Sequence, residues 1–341
     1  MRLLVVNAGS SSLKLAVFDE GLRQIAAARA ERIGTGGAAD HREALQAGLA
    51  EMGIAACDLA GAAHRVVHGG TAFVQPARIT GAVLAGIEAC VPLAPLHNPA
   101  NLTGIRALAA LAPDLPQFAS FDTAFHASVP EVASRYALPP EAEALGLRRY
   151  GFHGISYAGL VGSLRAGGVL PRRLLALHLG NGASLCAVLD GRSVATTMGY
   201  SPLSGLTMGT RAGDIDGNAV LRLAEVHGVD GASRLLNREA GLLGLGGASD
   251  LRALHAAGTR EAAFALEHFA YWAVRHAGSM VAAMGGLDAL AFTGGIGEND
   301  AWMRGRIVEG LAFLGAVPVH VVPAEEERQI VAEAFVLMGD G

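Results

Sequence analysis

The chain has a single lysine, Lys14, and the other 25 of its 26 basic residues are arginine. Either position 14 needs a compact ammonium that arginine cannot replace, or this lysine is a chance survivor of a biased composition. Charge is sparse at 17%, and the net charge is −5. The only basic clusters are the pairs Arg148–Arg149 and Arg172–Arg173. That excludes the basic footprint of a nucleic-acid-binding protein. An anionic small substrate is compatible with this balance if its cations are local. Cysteine is scarce: Cys57, Cys90 and Cys186 are odd in number and form no CxxC motif. This excludes a disulfide framework or a zinc knuckle and predicts a reduced, cytoplasmic setting. There is no apolar run of about 18 residues, which predicts no membrane span. Residues 1–6 are too short an apolar stretch for a signal peptide before polar Asn7. Twelve histidines raise the idea of a metallohydrolase, but no HExxH pair supports it.

Against these absences stand 51% hydrophobic residues and 46 glycines in 341 residues. The length suits two domains with well-filled cores and many tight turns. Residues 3–6 are apolar, Asn7-Ala8-Gly9-Ser10-Ser11-Ser12 form a polar turn, and residues 13–18 alternate. This predicts a strand, a turn and a second strand. The pattern returns half a chain later, with apolar residues 174–177, the turn His178-Leu179-Gly180-Asn181-Gly182-Ala183 and a strand over 184–189. A shift of 171 residues superposes Leu3, Leu4, Gly9, Ala16, Val17 and Asp19 on Leu174, Leu175, Gly180, Ala187, Val188 and Asp190 without a gap. The placement at the start of each half predicts a duplicated α/β domain, 1–149 and then 150–324. Helices are predicted over 40–52, 100–112 and 261–284. A buried strand over 287–292 then leads into a Gly-rich turn, 293–299.

Three small-residue turns thus follow three apolar strands, at 7–12, 178–183 and 293–299. Glycine lets backbone approach a ligand, and exposed N–H groups bind phosphate oxygens. None has the Walker spacing or a clean Rossmann fingerprint. Together they favour a nucleotide held in a cleft between related domains. Polar clusters recur at His64-Arg65-Val66-Val67-His68-Gly69-Gly70, Phe121-Asp122-Thr123-Ala124-Phe125-His126, Arg149-Tyr150-Gly151-Phe152-His153-Gly154 and Met208-Gly209-Thr210-Arg211-Ala212-Gly213-Asp214-Ile215-Asp216. Phosphoryl transfer needs cations on the equatorial oxygens, a Mg²⁺ site and positioning. Arg65, Arg211 and His153 can supply charge, and Asp122 can help hold Mg²⁺. Each also has a plainer reading. A lone histidine is usually structural, Arg211 could form a local salt-bridge turn with Asp214 and Asp216, and Asp122 could cap a helix over 124–129. The residues alone carry the reading to a two-domain α/β nucleotide enzyme, a phosphotransferase.

These segments resemble the acetate kinases. Asn7-Ala8-Gly9-Ser10-Ser11-Ser12-Leu13-Lys14 is similar to that family's first signature and Met208–Asp216 to its second. HRVVHGG, PLHNP, FDTAFH, RYGFHG, HLGNGAS and GGIGEN follow in the family's order over nearly the whole chain. The resemblance implies two duplicated actin-like, sugar-kinase-type (ribonuclease H-like) domains, the first completed by a C-terminal helix within 325–341, with ATP in the cleft. It implies reversible, Mg²⁺-dependent in-line transfer between ATP and acetate, with Mn²⁺ as an alternative metal and propionate as an alternative acid. A non-catalytic actin-like ATP-binding protein is the reading from another class, and the coexistence of Arg65, Asp122, His153 and Arg211 argues against it. By the same resemblance, Arg65, Arg211 and His153 act on the carboxylate and the transferring phosphoryl group, His178 reaches the phosphates, and Asp122 positions substrate and helps organise Mg²⁺. Asn7 and Glu326, or Glu327 as runner-up, orient the metal. Ser12, Lys14, Asn181, Gly182, Asp250, Arg252, Gly295, Ile296 and Asn299 bind nucleotide. Val67, Leu96, Phe152 and Pro202 form the acyl pocket. A homodimer through the second domain is implied as well.

The chain departs from the family in Thr197, where Ser is usual, in Gly294, where Ala is common, and in shortened segments near 165–173 and 315–319. The motifs that carry the chemistry are intact, so an active enzyme is predicted.

Overall fold

The computed structural model describes residues 1–339, and it divides into two compact units. Unit 1 comprises Met1–Ala127, Gly154–Gly159 and the chain from Glu325 onward; unit 2 comprises Ser128–His153 and Leu160–Ala324. The first expected boundary, 149, thus falls within a stretch assigned to unit 2. Residues 340–341 of the expected C-terminal segment lie outside the described residues.

Unit 1 is built on strands β1 (Arg2–Ala8), β2 (Ser12–Asp19), β3 (Gln24–Glu31), β4 (Gly61–Val66), β5 (Ala77–Arg78) and β6 (Gln117–Phe121), in the order β3-β2-β1-β4-β6-β5. The first three strands are antiparallel, while β1, β4 and β6 are parallel. The continuous apolar run of β1 is explained by burial on both sides. Leu4 and Val6 face Leu45, Leu49 and Leu108 of the helices His41–Glu51 and Asn98–Leu111. Leu3 and Val5 face Ile155, Ile330, Val331 and Ala334, the last three on the helix Glu326–Gly339.

Unit 2 repeats the plan with β7 (Arg173–Leu179), β8 (Ala183–Leu189), β9 (Arg192–Thr196), β10 (Ala289–Thr293) and β11 (Val319–Val321). Its sheet, β11-β10-β7-β8-β9, is again an antiparallel three-strand meander continued by parallel strands. The limits of β7 are those of β1 displaced by the 171 residues read from the sequence. The two sheets share a five-strand plan, to which unit 1 adds the antiparallel edge strand β5, and this is the duplicated actin-like arrangement that the resemblance implied. The helix Arg260–Met284 packs on β8, and its buried residues Ala262, Ala265, Phe269, Ala273 and Ala277 form a stripe of helical period.

Two local expectations are corrected. Residues 293–299 do not stay a turn: Gly294, at φ +80°, turns the chain sharply and the short helix Gly294–Asn299 starts at once. Residues 124–128 form a 3₁₀ turn, not the start of an α-helix. No described helix is long and apolar enough to cross a membrane.

Candidate active site

In unit 1, sheet alternation decides which side chains meet. Leu3, Val5, Ala16, Ala63 and Phe118 lie on the face covered by the helix Glu326–Gly339. The period of two puts Asn7, Lys14 and Arg65 on that same face. Asn7 pairs with Lys14 across the β1–β2 ladder, and Asp122 follows β6 directly. These residues gather where the parallel strands end, the usual place for a ligand in such sheets. Lys14 is exposed and Ser12 half-buried at the turn.

The centre of this group is an ion pair. Arg65 Nη2 donates to Asp122 Oδ2 at 2.6 Å and Nε lies 3.4 Å from Oδ1. Asp122 is 3% exposed at its side chain. Burial opposes the charge on Arg65, but the attraction of Asp122, and then of Glu326, more than offsets it and raises the pKa; Glu327 contributes less. The simple-cap alternative for Asp122 is thereby superseded. Behind it, Glu333 accepts from Gln329 Nε2 at 2.9 Å. Burial pushes the Glu333 carboxyl up, against hydrogen bonds from Ser120 and Gln329, and the Asp122 charge adds to the rise.

Several residues that fix this geometry carry no role in the sequence reading. Asn101 bridges two site segments: its Oδ1 accepts from Val67 N at 3.1 Å and its Nδ2 donates to the Ala8 carbonyl at 2.9 Å. Asn98 holds the next residue by both backbone groups, accepting from His68 N and donating to His68 O. Asn98 and Asn101 lie three apart and buried on the helix Asn98–Leu111, and their backbone partners leave no signal in the sequence. Gly154 must be glycine because a Cβ would stand 2.2 Å from the Asp122 carbonyl, whose oxygen accepts from its N–H. His64, fully buried, bonds to Gln117 Oε1 at 2.7 Å, and burial takes its pKa down to about 4.

Of the four residues expected to line an acyl pocket, two belong to each unit. Val67 is buried and Leu96 is 50% exposed in unit 1; Phe152 is buried and Pro202 half-buried in unit 2. β4 ends at Val66 and Val67 lies in a bend. Strand alternation therefore does not carry from Arg65 to Val67, because Asn101 captures the Val67 N–H instead of a neighbouring strand.

In unit 2, His153 and His178 stack with ring centroids 4.1 Å apart, and His153 Nδ1 lies 2.8 Å from Ser184 Oγ. His153 has φ +59°, a left-handed backbone that costs a non-glycine residue about 1–3 kcal/mol and is typical of functional sites. A Cβ on Gly182 would lie 2.9 Å from Arg211 Nη2 and 3.1 Å from His153 Nε2. Gly182, Arg211 and His153 thus converge on one point. Arg211 also donates to the Pro202 carbonyl. The local salt-bridge reading of Arg211 is superseded: Asp214 accepts from Gly205 N and faces His276, while Asp216 caps the helix Gly217–Arg234.

Unit 2 also contains a cavity of about 940 Å³, lined by Asn181, Asp250, Arg252, Gly295, Ile296 and Asn299. All six were singled out for nucleotide, and the volume suits one. Ser249, His255 and Asp300 line it too and were not anticipated. Arg252 clasps Asp250 with both Nε (3.1 Å) and Nη2 (2.6 Å), holding that carboxyl down at about 2.

Among the described residues no cluster of three or more His, Cys, Asp or Glu could hold a metal by itself. The donors present, Asn7, Asp122 and Glu326, offer oxygen only. That fits Mg²⁺, which keeps waters and phosphate oxygens and takes only one or two carboxylates. Asp122, engaged with Arg65 through both oxygens, suits a water-mediated role.

The sequence model of the acetokinase family matches residues 2–333. The chain belongs to the acetokinase family. Acetate kinase of Streptomyces griseus is 42% identical, with 99% of this chain and 97% of that protein covered. The alignment runs over 400 positions, so at least 59 fall opposite gaps in this shorter acetokinase. Acetate kinase of Rhodopseudomonas palustris is 44% identical over 92% of this chain and 87% of its own. The crystal structure of Porphyromonas gingivalis acetate kinase superposes with a TM-score of 0.92, 34% identity and 99% of both chains covered. A propionate kinase structure from Francisella tularensis gives the same TM-score at 35% identity, over 97% of this chain and 98% of that one. A putative N-acetylmannosamine kinase from Listeria monocytogenes, at 15% identity and a TM-score of 0.51, shares the fold alone.

Proposed function

We propose that this acetokinase is an ATP:acetate phosphotransferase that makes acetyl phosphate and ADP reversibly by direct in-line transfer. The observation that carries the reading is the Arg65–Asp122 pair among Asn7, Lys14 and Glu326 in unit 1, matched by Arg211, His153 and His178 in unit 2. Acetate is already a nucleophile at neutral pH, because a carboxylate is ionised there. No general base is needed, and catalysis reduces to placing cations where negative charge is shared. Arg65 and Arg211 hold the carboxylate and the transferring phosphoryl group, and His153, oriented by Ser184, adds a donor to the same oxygens. His178 reaches the phosphates. Asp122 keeps the Arg65 guanidinium charged and in place. Asn7 and Glu326 orient Mg²⁺ and its waters; the metal, when bound, neutralises phosphate charge. Ser12 and Lys14 contact the phosphates, and the unit 2 cavity takes the nucleoside.

Val67 and Leu96 in unit 1, and Phe152 and Pro202 in unit 2, offer the acid apolar walls with no side-chain hydrogen-bonding group, which favours a bare alkyl tail. Such a wall separates acids differing by one methylene by about 10–200-fold, so propionate is the second acid. The test is hydroxamate formation from ATP, Mg²⁺ and acetate, propionate, glycolate or malonate with hydroxylamine. Acetate should lead, propionate should follow, and the two polar acids should be poor. A preference for glycolate or malonate would overturn the apolar pocket.

The protein acts in the cytoplasm, a reading supported by three unpaired cysteines. It works as a homodimer joined through unit 2. Support for the dimer comes from the helix Gly217–Arg234, which buries only Ala232 and leaves Leu221, Val226 and Val229 exposed. Light scattering should give twice the chain mass, and Val229→Glu should return it to one.

A further inference from the structure

We infer that His41 is a positioning residue of the phosphate turn 7–12, acting through the Gly9 carbonyl. This inference rests on the proposed role of that turn in holding MgATP. His41 opens the helix His41–Glu51, whose N-cap is Asp40, and lies 8% exposed. Its Nε2 lies 2.7 Å from the Gly9 carbonyl oxygen, across 32 residues of sequence. A carbonyl only accepts, so the imidazole must be the donor and Nε2 must carry a proton.

The consequence is geometric. In a trans peptide the C=O and the next N–H point in opposite directions. Fixing the Gly9 carbonyl toward His41 therefore fixes the direction in which Ser10 N–H donates. The turn is held in three further places: Asn101 Nδ2 donates to the Ala8 carbonyl at 2.9 Å, Gly9 N donates to Ser12 O at 2.8 Å, and Ile33 N donates to Ser11 O at 3.0 Å. The last two are backbone bonds that any sequence could make, and Asn101 acts one peptide earlier. The His41 bond is the side-chain contribution to the Gly9–Ser10 peptide, which follows the only glycine of the turn. A glycine peptide is the one most free to flip. The turn cannot easily be stiffened at that residue itself, because a Cβ on Gly9 would stand 2.7 Å from Ser12 Oγ. A donor from outside the turn is what remains, and His41 provides it.

The test uses the full chain with His41→Phe, which keeps the ring and removes the donor, and His41→Gln, whose side-chain amide can donate again. His41→Glu is isosteric with the latter and cannot donate when ionised, so the Gln/Glu comparison stands even if the Phe variant folds poorly. Asn7→Ala serves as the control for the turn itself. Losing one orienting hydrogen bond should lower kcat/KM for MgATP by roughly 5–30-fold in the Phe and Glu variants, with the acetate KM unchanged. His41→Gln should recover most of the loss. Wild-type kcat/KM for MgATP in His41→Phe or His41→Glu, or an equal loss in the Gln and Glu variants, would overturn the role of His41. If Asn7→Ala is itself normal in MgATP and Mg²⁺ dependence, the reading of the turn fails; if it is impaired while His41→Phe is normal, only the inference about His41 fails.

Discussion

Arg65 Nη2 stands 2.6 Å from Asp122 Oδ2, and the carboxylate is almost wholly out of solvent. The ion pair makes Arg65 part of the fold as well as of the site. Arg65→Ala strands a buried carboxylate, which costs about 3–5 kcal/mol, and it should also lower kcat by roughly 10²–10³ or more. Denaturant unfolding and steady-state rates measure the two effects. The double variant Arg65→Met/Asp122→Asn, which removes both charges, should recover most of the stability and none of the rate. A single variant as stable as wild type would mean that the pair contributes nothing to the fold.

His64 predicts a pH dependence of stability. Its folded pKa is about 4 against an ordinary value of 6.5. As pH falls below 6.5 the unfolded chain binds a proton that the folded chain refuses, so stability is full above 6.5 and declines down to about 4. The span amounts to roughly 3 kcal/mol at 1.36 kcal/mol per pH unit. His68, also lowered to about 4 by burial, acts in the same direction. His64→Gln should flatten the unfolding free energy between pH 6.5 and 4 by one proton's slope. An unchanged profile would show that His64 is not held neutral.

Glu326 outweighs Glu327 in its attraction for Arg65. With Glu326 orienting Mg²⁺ as proposed, Glu326→Ala should raise the Mg²⁺ requirement and lower kcat with little change in acetate KM, and Glu327→Ala should do less. Metal titrations of the two variants decide it, and the reverse order would move the metal role one residue along.

Lys14 lies opposite Asn7 on β2 and is exposed. An amine-selective reagent can modify only this side chain and the α-amino group. MgATP should slow its labelling, followed by peptide mass spectrometry. Labelling that ignores saturating MgATP would leave the lysine a survivor of biased composition.

The hairpins were legible because both signals are local: an apolar run long enough for one strand, and a turn that only small residues can make. The duplication was legible because 171 residues separate two copies of one pattern. Four residues of the quoted motifs, Asn181, Gly295, Ile296 and Asn299, line the unit 2 cavity together with Asp250 and Arg252. Asn101 and His41 were not, because each acts on a backbone group remote in sequence, Ala8 O and Gly9 O, and backbone leaves no letter in the sequence. The setting of Val67 was not legible for a related reason: alternation holds only while a strand lasts, and β4 stops one residue earlier. The Gly294–Asn299 helix was read as a turn because four residues of Thr-Gly-Gly-Ile-Gly disfavour a helix interior. Arg304 offsets this by donating to the Gly297 and Glu298 carbonyls.

The central claim is that transfer is driven by cations placed on the shared phosphoryl charge, and Arg211 tests it most cleanly because its removal leaves the Arg65–Asp122 pair intact. The measurement is kcat of Arg211→Ala at saturating MgATP and acetate, beside its unfolding temperature. A fall of roughly 10²–10³ with unfolding little changed is the predicted result. A kcat near wild type in a folded variant would contradict the account.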